Sequence, residues 1–189
     1  MLNTQTWWKS GLQQWLAHDG LIAYPTESVW SLGCDPFSRR AVENLLVLKN
    51  RPLEKGLICV VAHKKQMDFL LEPLPGFLQQ RWQELVEKHK PLTVIIPDVK
   101  NRIPYWVKGK HIGVAVRISS HPCIQKLCRT LDRPLISTSA NRSGCVPARY
   151  PWQIHHTFGG SIKYFGGSQL CDRQPTPIID LVTQQYVRF

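Results

Sequence analysis

Several familiar signatures of nucleotide and hydrolytic chemistry are absent from this 189-residue chain. It has no Gly-x-x-x-x-Gly-Lys-Ser/Thr and no Gly-x-Gly-x-x-Gly, which excludes a P-loop enzyme and a Rossmann dehydrogenase. It also lacks the Gly-x-Ser-x-Gly elbow of α/β-hydrolases and the His-Glu-x-x-His helix of zinc proteases. The doublet His155-His156 cannot present both rings on one face of a regular element. We therefore predict no metal site built from side chains.

Long apolar runs and paired cysteines are missing as well. The longest apolar run, Leu57 to Ala62, is far shorter than the roughly 20 residues that cross a bilayer. The first nine residues have neither the basic start nor the continuous apolar stretch of a secretory signal. The six cysteines are scattered and form no Cys-x-x-Cys pair. We expect a cytoplasmic protein with reduced thiols and no membrane association.

Acidic residues are scarce, since 13 Asp and Glu stand against 24 Lys and Arg and leave a net charge of +11. This excess predicts attraction to polyanions such as nucleotides, RNA or acidic proteins, although a basic composition is often only a solubility feature. The cations concentrate in two segments that are predicted to line one basic concave face. They are Arg39, Arg40, Lys49, Arg51 and Lys55, then Lys100, Arg102, Lys108, Lys110, His111 and Arg117.

Strands alternate with helices along the chain, which predicts a single α/β domain over residues 1–189. The tail strands Ile178 to Val182 and Gln185 to Arg188 suggest a hairpin, so we expect an open, twisted, mixed sheet flanked by helices. Gly144 to Gly167 is predicted to be a loop-rich lid or edge. The other predicted strands are Leu21 to Tyr24, Trp30 to Gly33, Leu57 to Ala62, Leu92 to Ile96, Ile112 to Val116 and Leu135 to Ser137. The predicted helices are Leu2 to Ala17, one capped by Ser38 and ending near Asn50, Gly76 to Lys88, and Pro122 to Leu131.

Lys49 and Arg51 stand where the second helix must end, because Pro52 pushes Arg51 out of the helical region. Loops at the ends of strands in an α/β sheet converge on a crevice, and we predict that both cations are exposed there. Such a pair suits a triphosphate. On this segment alone, basic residues favoured by the helix dipole are the simpler explanation.

The segment Ser139-Ala140-Asn141 follows a predicted strand and, with its neighbours, supplies hydroxyl and amide groups for phosphate or ribose oxygens. An ordinary polar turn would use the same residue types. A third segment, Tyr24-Pro25-Thr26-Glu27, also lies where a strand gives way to a loop. Taken singly, none of the three segments is specific.

Together and in this order, the segments closely resemble the YrdC/TsaC family of threonylcarbamoyl-AMP synthases, over nearly the whole chain. The combination is highly specific, and the Lys-Gly-Leu-Ile variant resembles the short bacterial form. The motifs are Ala23-Tyr24-Pro25-Thr26-Glu27, Gly33-Cys34-Asp35-Pro36, Lys49-x-Arg51-Pro52-x-x-Lys55-Gly56-Leu57-Ile58, Pro91-Leu92-Thr93, Val114-Ala115-Val116-Arg117, Ser137-Thr138-Ser139-Ala140-Asn141-x-Ser143-Gly144 and Pro175-Thr176-Pro177-Ile178-Ile179-Asp180.

The resemblance implies that L-threonine, bicarbonate or CO2, and ATP give threonylcarbamoyl-AMP and pyrophosphate, the first step toward N6-threonylcarbamoyladenosine in tRNA. Mg²⁺ is expected on the phosphates, and partner proteins would then transfer the group. The implied nucleotide contacts are Arg51, Lys55, Ser139 and Arg188. The implied catalytic set is Lys49, Arg51, Ser139 and Asn141. The implied threonine contacts are Thr26, Arg117, Ser137 and Thr176.

The sequence departs from the family pattern at His89-Lys90-Pro91, which replaces a Pro-Gly-Pro, and at Trp30-Ser31, where an aromatic residue and glycine are usual. Arg142 adds a cation whose role stays open. Two alternatives remain beside the synthase. One is a module or ribosome maturation factor that binds double-stranded RNA or tRNA, and the other is an enzyme that adenylates a related carbamoyl substrate.

Overall fold

A computed structural model describes residues 4–89, 91–166 and 176–188 of the chain, without the side chains of residues 4–8 and 188. Strands and helices alternate along these residues. The strands are β1 (Leu21–Pro25), β2 (Trp30–Gly33), β3 (Ile58–Val61), β4 (Thr93–Pro97), β5 (Gly113–Ile118), β6 (Leu135–Ser139), β7 (Ile162–Tyr164), β8 (Ile178–Asp180) and β9 (Tyr186–Arg188). The α-helices are α1 (Thr4–Ala17), α2 (Arg39–Lys49), α3 (Asp68–Leu71), α4 (Gly76–Lys88), α5 (Tyr105–Lys108), α6 (Pro122–Leu131) and α7 (Pro151–Phe158).

The described strands form one sheet in the order β7-β1-β2-β6-β3-β5-β4-β8-β9. Pairs β1/β7, β3/β5 and β4/β8 are parallel, and the remaining neighbours are antiparallel. The predicted single α/β domain with a mixed sheet is confirmed. Strand β6 joins the two halves, because its first residues pair with β3 and its last two pair with β2. The polar end of β6 therefore lies at the middle of the sheet.

Two hydrophobic clusters cover the two faces of the sheet, and the alternation of side chains along each strand assigns residues to them. In β1, Ala23 belongs to one cluster, whereas Ile22 and Tyr24 belong to the other. Helices α2 and α4 pack against the first cluster, and α1 and α6 pack against the second. This arrangement leaves the strand ends and their loops to form a site.

Helix α2 begins and ends as predicted. The Ser38 side chain accepts a hydrogen bond from the Ala41 backbone N–H at 3.1 Å, which is an N-cap. Asn50 terminates the helix in the left-handed conformation, at φ 49°, and Pro52 follows two residues later. Lys49 is consequently the last helical residue, and Arg51 begins the loop.

The prediction of a loop-rich stretch between Gly144 and Gly167 was wrong in part, because this stretch contains α7 and the edge strand β7. Pro151 occupies the first turn of α7, where proline is favoured, and the Gln153 side chain accepts from the Tyr150 N–H at 3.0 Å. Apolar residues one turn apart, Ile154 and Phe158, are buried. This signal was present in the sequence but is only two turns long.

The basic face predicted from the two cationic segments loses three members, since Lys49, Lys108 and Arg117 are buried. Lys108 pairs with Asp98, and Arg39 pairs with Glu43. Because such cations are enclosed or neutralised, sequence clustering alone overstates the charge available to an outside partner.

Some sequence predictions fall outside the described residues. These are the start of the first helix at Leu2, the loop at Lys90, the thiol of Cys171 and Pro175 of the last motif. None of the helices in the described part of the chain combines the length and the apolar composition that crossing a bilayer requires.

Candidate functional site

A cavity of about 240 Å³ opens where β2, β6, β3 and β5 lie side by side in the sheet. Loops after β1, after α2 and before β8 complete its walls. Hydroxyl groups and two guanidinium groups dominate the polar part of the lining. The lining residues are Thr26, Ser28, Val29, Ser31, Arg51, Leu57, Ile58, Arg117, Ser137, Thr138, Ser139, Pro147 and Thr176.

All four residues that the resemblance implies for threonine line this cavity, and all four are buried: Thr26, Arg117, Ser137 and Thr176. Arg117 Nη1 donates to the Thr176 hydroxyl at 3.0 Å. The Arg117 Nε atom is buried and has no hydrogen-bond partner in the described residues. A buried guanidinium with an unused donor fits an incoming carboxylate, which accepts two parallel hydrogen bonds.

Two side chains of the loop between β1 and β2, those of Thr26 and Glu27, hold the loop in shape through hydrogen bonds. Thr26 Oγ1 donates to the Val29 carbonyl at 2.7 Å. Glu27 Oε1 accepts from the Ser119 hydroxyl at 2.5 Å, whereas Oε2 is buried and has no partner in the described residues. Burial works to raise the pKa of the Glu27 carboxyl, but the charge of Arg117 and the Ser119 hydrogen bond together hold it below its usual value. The Glu27 side chain is therefore an ionised carboxylate that interacts electrostatically with Arg117.

Arg51 reaches the same cavity from the loop after α2. The sequence analysis predicted this placement for both Lys49 and Arg51. Its Nη2 donates to the Gly56 carbonyl at 2.8 Å. Gly56 has a φ of +60°, and a Cβ there would lie 2.7 Å from the Lys108 carbonyl oxygen. Only glycine fits this close approach, so the loop that supports Arg51 depends on it.

Lys49 corrects the prediction of two exposed cations. Its side chain is 2% exposed and does not line the cavity. The Nζ atom donates to the Ser139 carbonyl and, at 2.7 Å, to the Asn141 carbonyl. Burial, followed by the nearby charge of Arg51, lowers the pKa of Lys49 to about 8. Lys49 is still part of the helix, and its side chain points into the protein. Arg51 lies beyond the end of the helix, and its side chain reaches the cavity.

A second cavity of about 380 Å³ lies on the other side of the loop 139–148, and Pro147 lines both cavities. Asn141 and Arg142 belong to this second cavity, together with side chains on one face of α7. Asn141 Nδ2 donates to the carbonyls of Arg142 and Cys145 at 2.8 and 2.7 Å. The predicted set of Lys49, Arg51, Ser139 and Asn141 is thus divided, since Arg51 and Ser139 alone line the first cavity.

Two further nucleotide contacts were predicted, Lys55 and Arg188, and Lys55 does not line the cavity. Lys55 is exposed on a short 3₁₀ turn, Leu53–Lys55. Arg188 lies in β9 opposite Ile178, and its side chain is outside the described residues. Sequence reasoning did not assign Ser28 and Ser31 to the site. Ser28 follows the Tyr-Pro-Thr-Glu segment directly, and Ser31 was noted only as a departure from the family's glycine.

The walls of the first cavity contain no carboxylate or imidazole among the described residues. No group of three or more His, Cys, Asp or Glu in the described part of the chain could hold a metal ion. The residues present do not fit a magnesium ion held by protein ligands. Any such ion would arrive bound to the substrate phosphates.

Comparison with known proteins adds to this geometry. The Sua5/YciO/YrdC family model, described as telomere recombination, matches residues 14–189. A Marinobacter nauticus protein named threonylcarbamoyl-AMP synthase is 48% identical over 170 residues, covering 89% of this chain and 88% of the relative. A Pseudomonas paraeruginosa protein of the same name is 47% identical over 174 residues, covering 89% and 90%.

Among solved structures, Sua5 of P. abyssi complexed with L-threonine superposes with a TM-score of 0.82 at 24% identity. The superposition covers 98% of this chain but 54% of the P. abyssi chain, which is therefore much longer. At this identity the likeness shows a shared fold.

Proposed function

Since this chain belongs to the Sua5/YciO/YrdC family, we infer that it is a threonylcarbamoyl-AMP synthase. It is an enzyme that uses ATP and transfers an adenylyl group. The relatives that carry this name match 88 to 90% of their own length. The observation in the molecule that best supports the function is the buried Arg117 with its unused Nε donor in a hydroxyl-lined cavity.

For the threonine end of the cavity, we propose that Arg117 binds the carboxylate of the amino acid. Thr26, Ser137 and Thr176 would then surround the rest of the molecule, and their hydroxyls would recognise the threonine side-chain hydroxyl. A site built to pair with a hydroxyl rejects analogues that lack it, because its own buried polar groups are then left unpaired.

For the nucleotide end, we propose that Arg51 and Ser139 contact the triphosphate. The threonine amine first becomes a carbamate, and a carbamate oxygen attacks the α-phosphate and expels pyrophosphate. Negative charge grows on the phosphate oxygens during this step, and a fixed guanidinium stabilises it without reorganisation. Lys55 and Arg188 are proposed as further nucleotide contacts, and a bound triphosphate would have to reach Lys55 beyond the cavity walls.

We place the reaction in the cytoplasm, where ATP and tRNA are available, and propose that partner proteins pass the threonylcarbamoyl group to tRNA. Mg²⁺ would accompany the phosphates. Direct RNA binding is an additional proposal that the net charge of +11 supports. Binding to RNA phosphates weakens steeply with added salt, so a flat salt response in a binding titration would contradict it.

The decisive test of the function is pyrophosphate release with purified protein. We expect release only when ATP, bicarbonate and L-threonine are all present, and no release under any condition would contradict the proposal. Replacing threonine by serine or carbamoyl phosphate tests the alternative of a related carbamoyl substrate. Faster release with either replacement would favour that alternative.

A further inference from the structure

Lys49 connects the end of α2 to the loop 139–148. Its Nζ atom donates to the carbonyls of Ser139 and Asn141, the latter at 2.7 Å. Its own carbonyl accepts from the Ser143 backbone N–H at 2.8 Å. Three hydrogen bonds, two donated and one accepted by Lys49, therefore fix the first part of the loop to the helix.

The loop matters because it forms the wall between the two cavities. Ser139 lines the first cavity, Asn141 lines the second, and Pro147 lines both. The Ala140 N–H is already bonded to the Trp30 carbonyl at 2.7 Å. The loop is thus held by β2 on one side and by Lys49 on the other.

The carbonyls of Ser139 and Asn141 belong to half-buried residues, where a carbonyl without a donor is costly, and the Ser139 carbonyl also accepts from the Asn141 N–H at 2.9 Å. A charged ammonium forms stronger hydrogen bonds to carbonyls than a neutral donor does. The Lys49 side chain is 2% exposed and lines neither cavity. The two hydrogen bonds of its Nζ atom are both made inside the protein.

Arg51 gives the matched comparison two residues away. It is half-buried, lines the first cavity, and donates from Nη2 to the Gly56 carbonyl. One cation of the pair is aimed at the cavity and the other at the cavity wall.

We propose that Lys49 is a positioning residue that holds the 139–148 loop in place, while Arg51 supplies the positive charge to the triphosphate. The inference deepens the proposed function and rests on it for the identity of the ligand. It predicts that loss of Lys49 damages the site through Ser139 and the loop.

Hydrogen exchange followed by mass spectrometry tests this directly in the full chain. Lys49→Met keeps a long unbranched side chain, one atom shorter than lysine, but removes the side-chain donor, and Arg51→Met is the matched control. In Lys49→Met we expect exchange in peptides covering residues 139–148 to rise by about tenfold, since local protection there depends on the lost bonds. In Arg51→Met we expect exchange in the same peptides to stay within about twofold of wild type. Unchanged loop exchange in a folded Lys49→Met protein would overturn the proposal, even if turnover is lost.

A measurement on the unmodified protein covers the case in which Lys49→Met does not fold. Reductive methylation with and without ATP, read by mass spectrometry, reports which ammonium groups are accessible. We expect Lys49 to stay unmodified in both conditions, while the exposed Lys55 reacts in the absence of ATP. Methylation of Lys49 that ATP prevents would overturn the proposal. Neither readout needs turnover, so a failure of the synthase assay is distinguishable from a failure of this inference.

Discussion

Two buried cations of this protein, Lys108 and Arg117, differ in how fully their hydrogen-bonding groups are paired. Near α5, Lys108 donates to Asp98 at 2.9 Å and to Asn101 at 3.1 Å, and Asp98 also accepts the backbone N–H groups of Arg102 and Ile103. In the cavity, Arg117 donates to one hydroxyl and keeps a buried Nε without a partner in the described residues. The described residues place no carboxylate within 4.0 Å of its guanidinium.

If Arg117 binds threonine as proposed, the contrast separates a structural charge from a functional one. The Lys108 corner satisfies its polar groups internally, which is what folding requires of a buried ion pair. The cavity leaves donors unused at a cost in stability, and such cost is typical of a site that awaits a ligand. The two regions touch, because the Lys108 carbonyl lies against Gly56 in the loop that supports Arg51.

The largest effect is expected from Lys108→Met. Removing the ammonium leaves the fully buried Asp98 carboxylate without its counter-charge, so the free energy of unfolding should fall by about 3–5 kcal/mol. Urea denaturation measures this. Glu43→Ala, which breaks the exposed Arg39–Glu43 pair, is the control and should cost far less, because water screens an exposed ion pair. Equal losses for the two variants would erase the distinction between the corner and the surface.

Arg117→Met should show the reverse pattern. Loss of a charge-assisted contact to the threonine carboxylate should lower kcat/KM for threonine by about 100- to 1000-fold. Stability should fall by roughly 1–2 kcal/mol, less than in Lys108→Met, because Glu27 loses a favourable charge and Thr176 a hydrogen bond but no ion pair within 4.0 Å is broken. Steady-state pyrophosphate release and urea denaturation, run on the same preparation, test both halves. A large loss of stability with normal KM would make Arg117 a structural charge like Lys108.

The pH dependence of stability should distinguish Lys49 from both. Its pKa is lowered to about 8 in the folded protein, against an ordinary value of 10.5. Between these pH values the unfolded chain binds more protons, so the contribution of Lys49 to stability rises with pH. Wild type minus Lys49→Met should therefore gain on the order of 1–3 kcal/mol from pH 8 to 10.5 in urea titrations. A flat difference would show that the ammonium has an ordinary pKa.

The smallest effect is expected from Glu27→Gln. The amide oxygen can still accept from Ser119, but the negative charge near Arg117 disappears. A negative charge near Arg117 opposes an incoming carboxylate, so we expect KM for threonine to fall by about threefold, roughly 0.7 kcal/mol, with little change in KM for ATP. Glu27→Ala removes the same charge and also the hydrogen bond to Ser119, so it should lose this gain and unfold at a lower temperature. Identical behaviour of the two variants would mean that charge is the only contribution of Glu27.

The sequence predicted the sheet because its strands are apolar runs and its helix ends carry local signals such as Ser38 and Pro52. It did not predict α7, whose two turns give too short an apolar period. The three segments alone indicated a crevice, and the set Thr26, Arg117, Ser137 and Thr176 was implied by the family resemblance; the cavity brings these four residues together. The fate of Lys49 could not be predicted, because its partners are backbone carbonyls 90 and 92 residues away. Residue types carry no information about which carbonyl of a distant loop turns inward.

The central claim is that the unused donor of Arg117 is kept for the carboxylate of threonine. Thermal unfolding should be measured with L-threonine and with L-threoninol, which lacks the carboxylate, each at saturating non-hydrolysable ATP analogue. Ligand at 100 times its Kd adds about 2.7 kcal/mol of stability, so L-threonine should raise Tm by several degrees. L-threoninol at the same concentration should leave Tm unchanged. Equal shifts with both ligands, or no shift with L-threonine, would contradict the account.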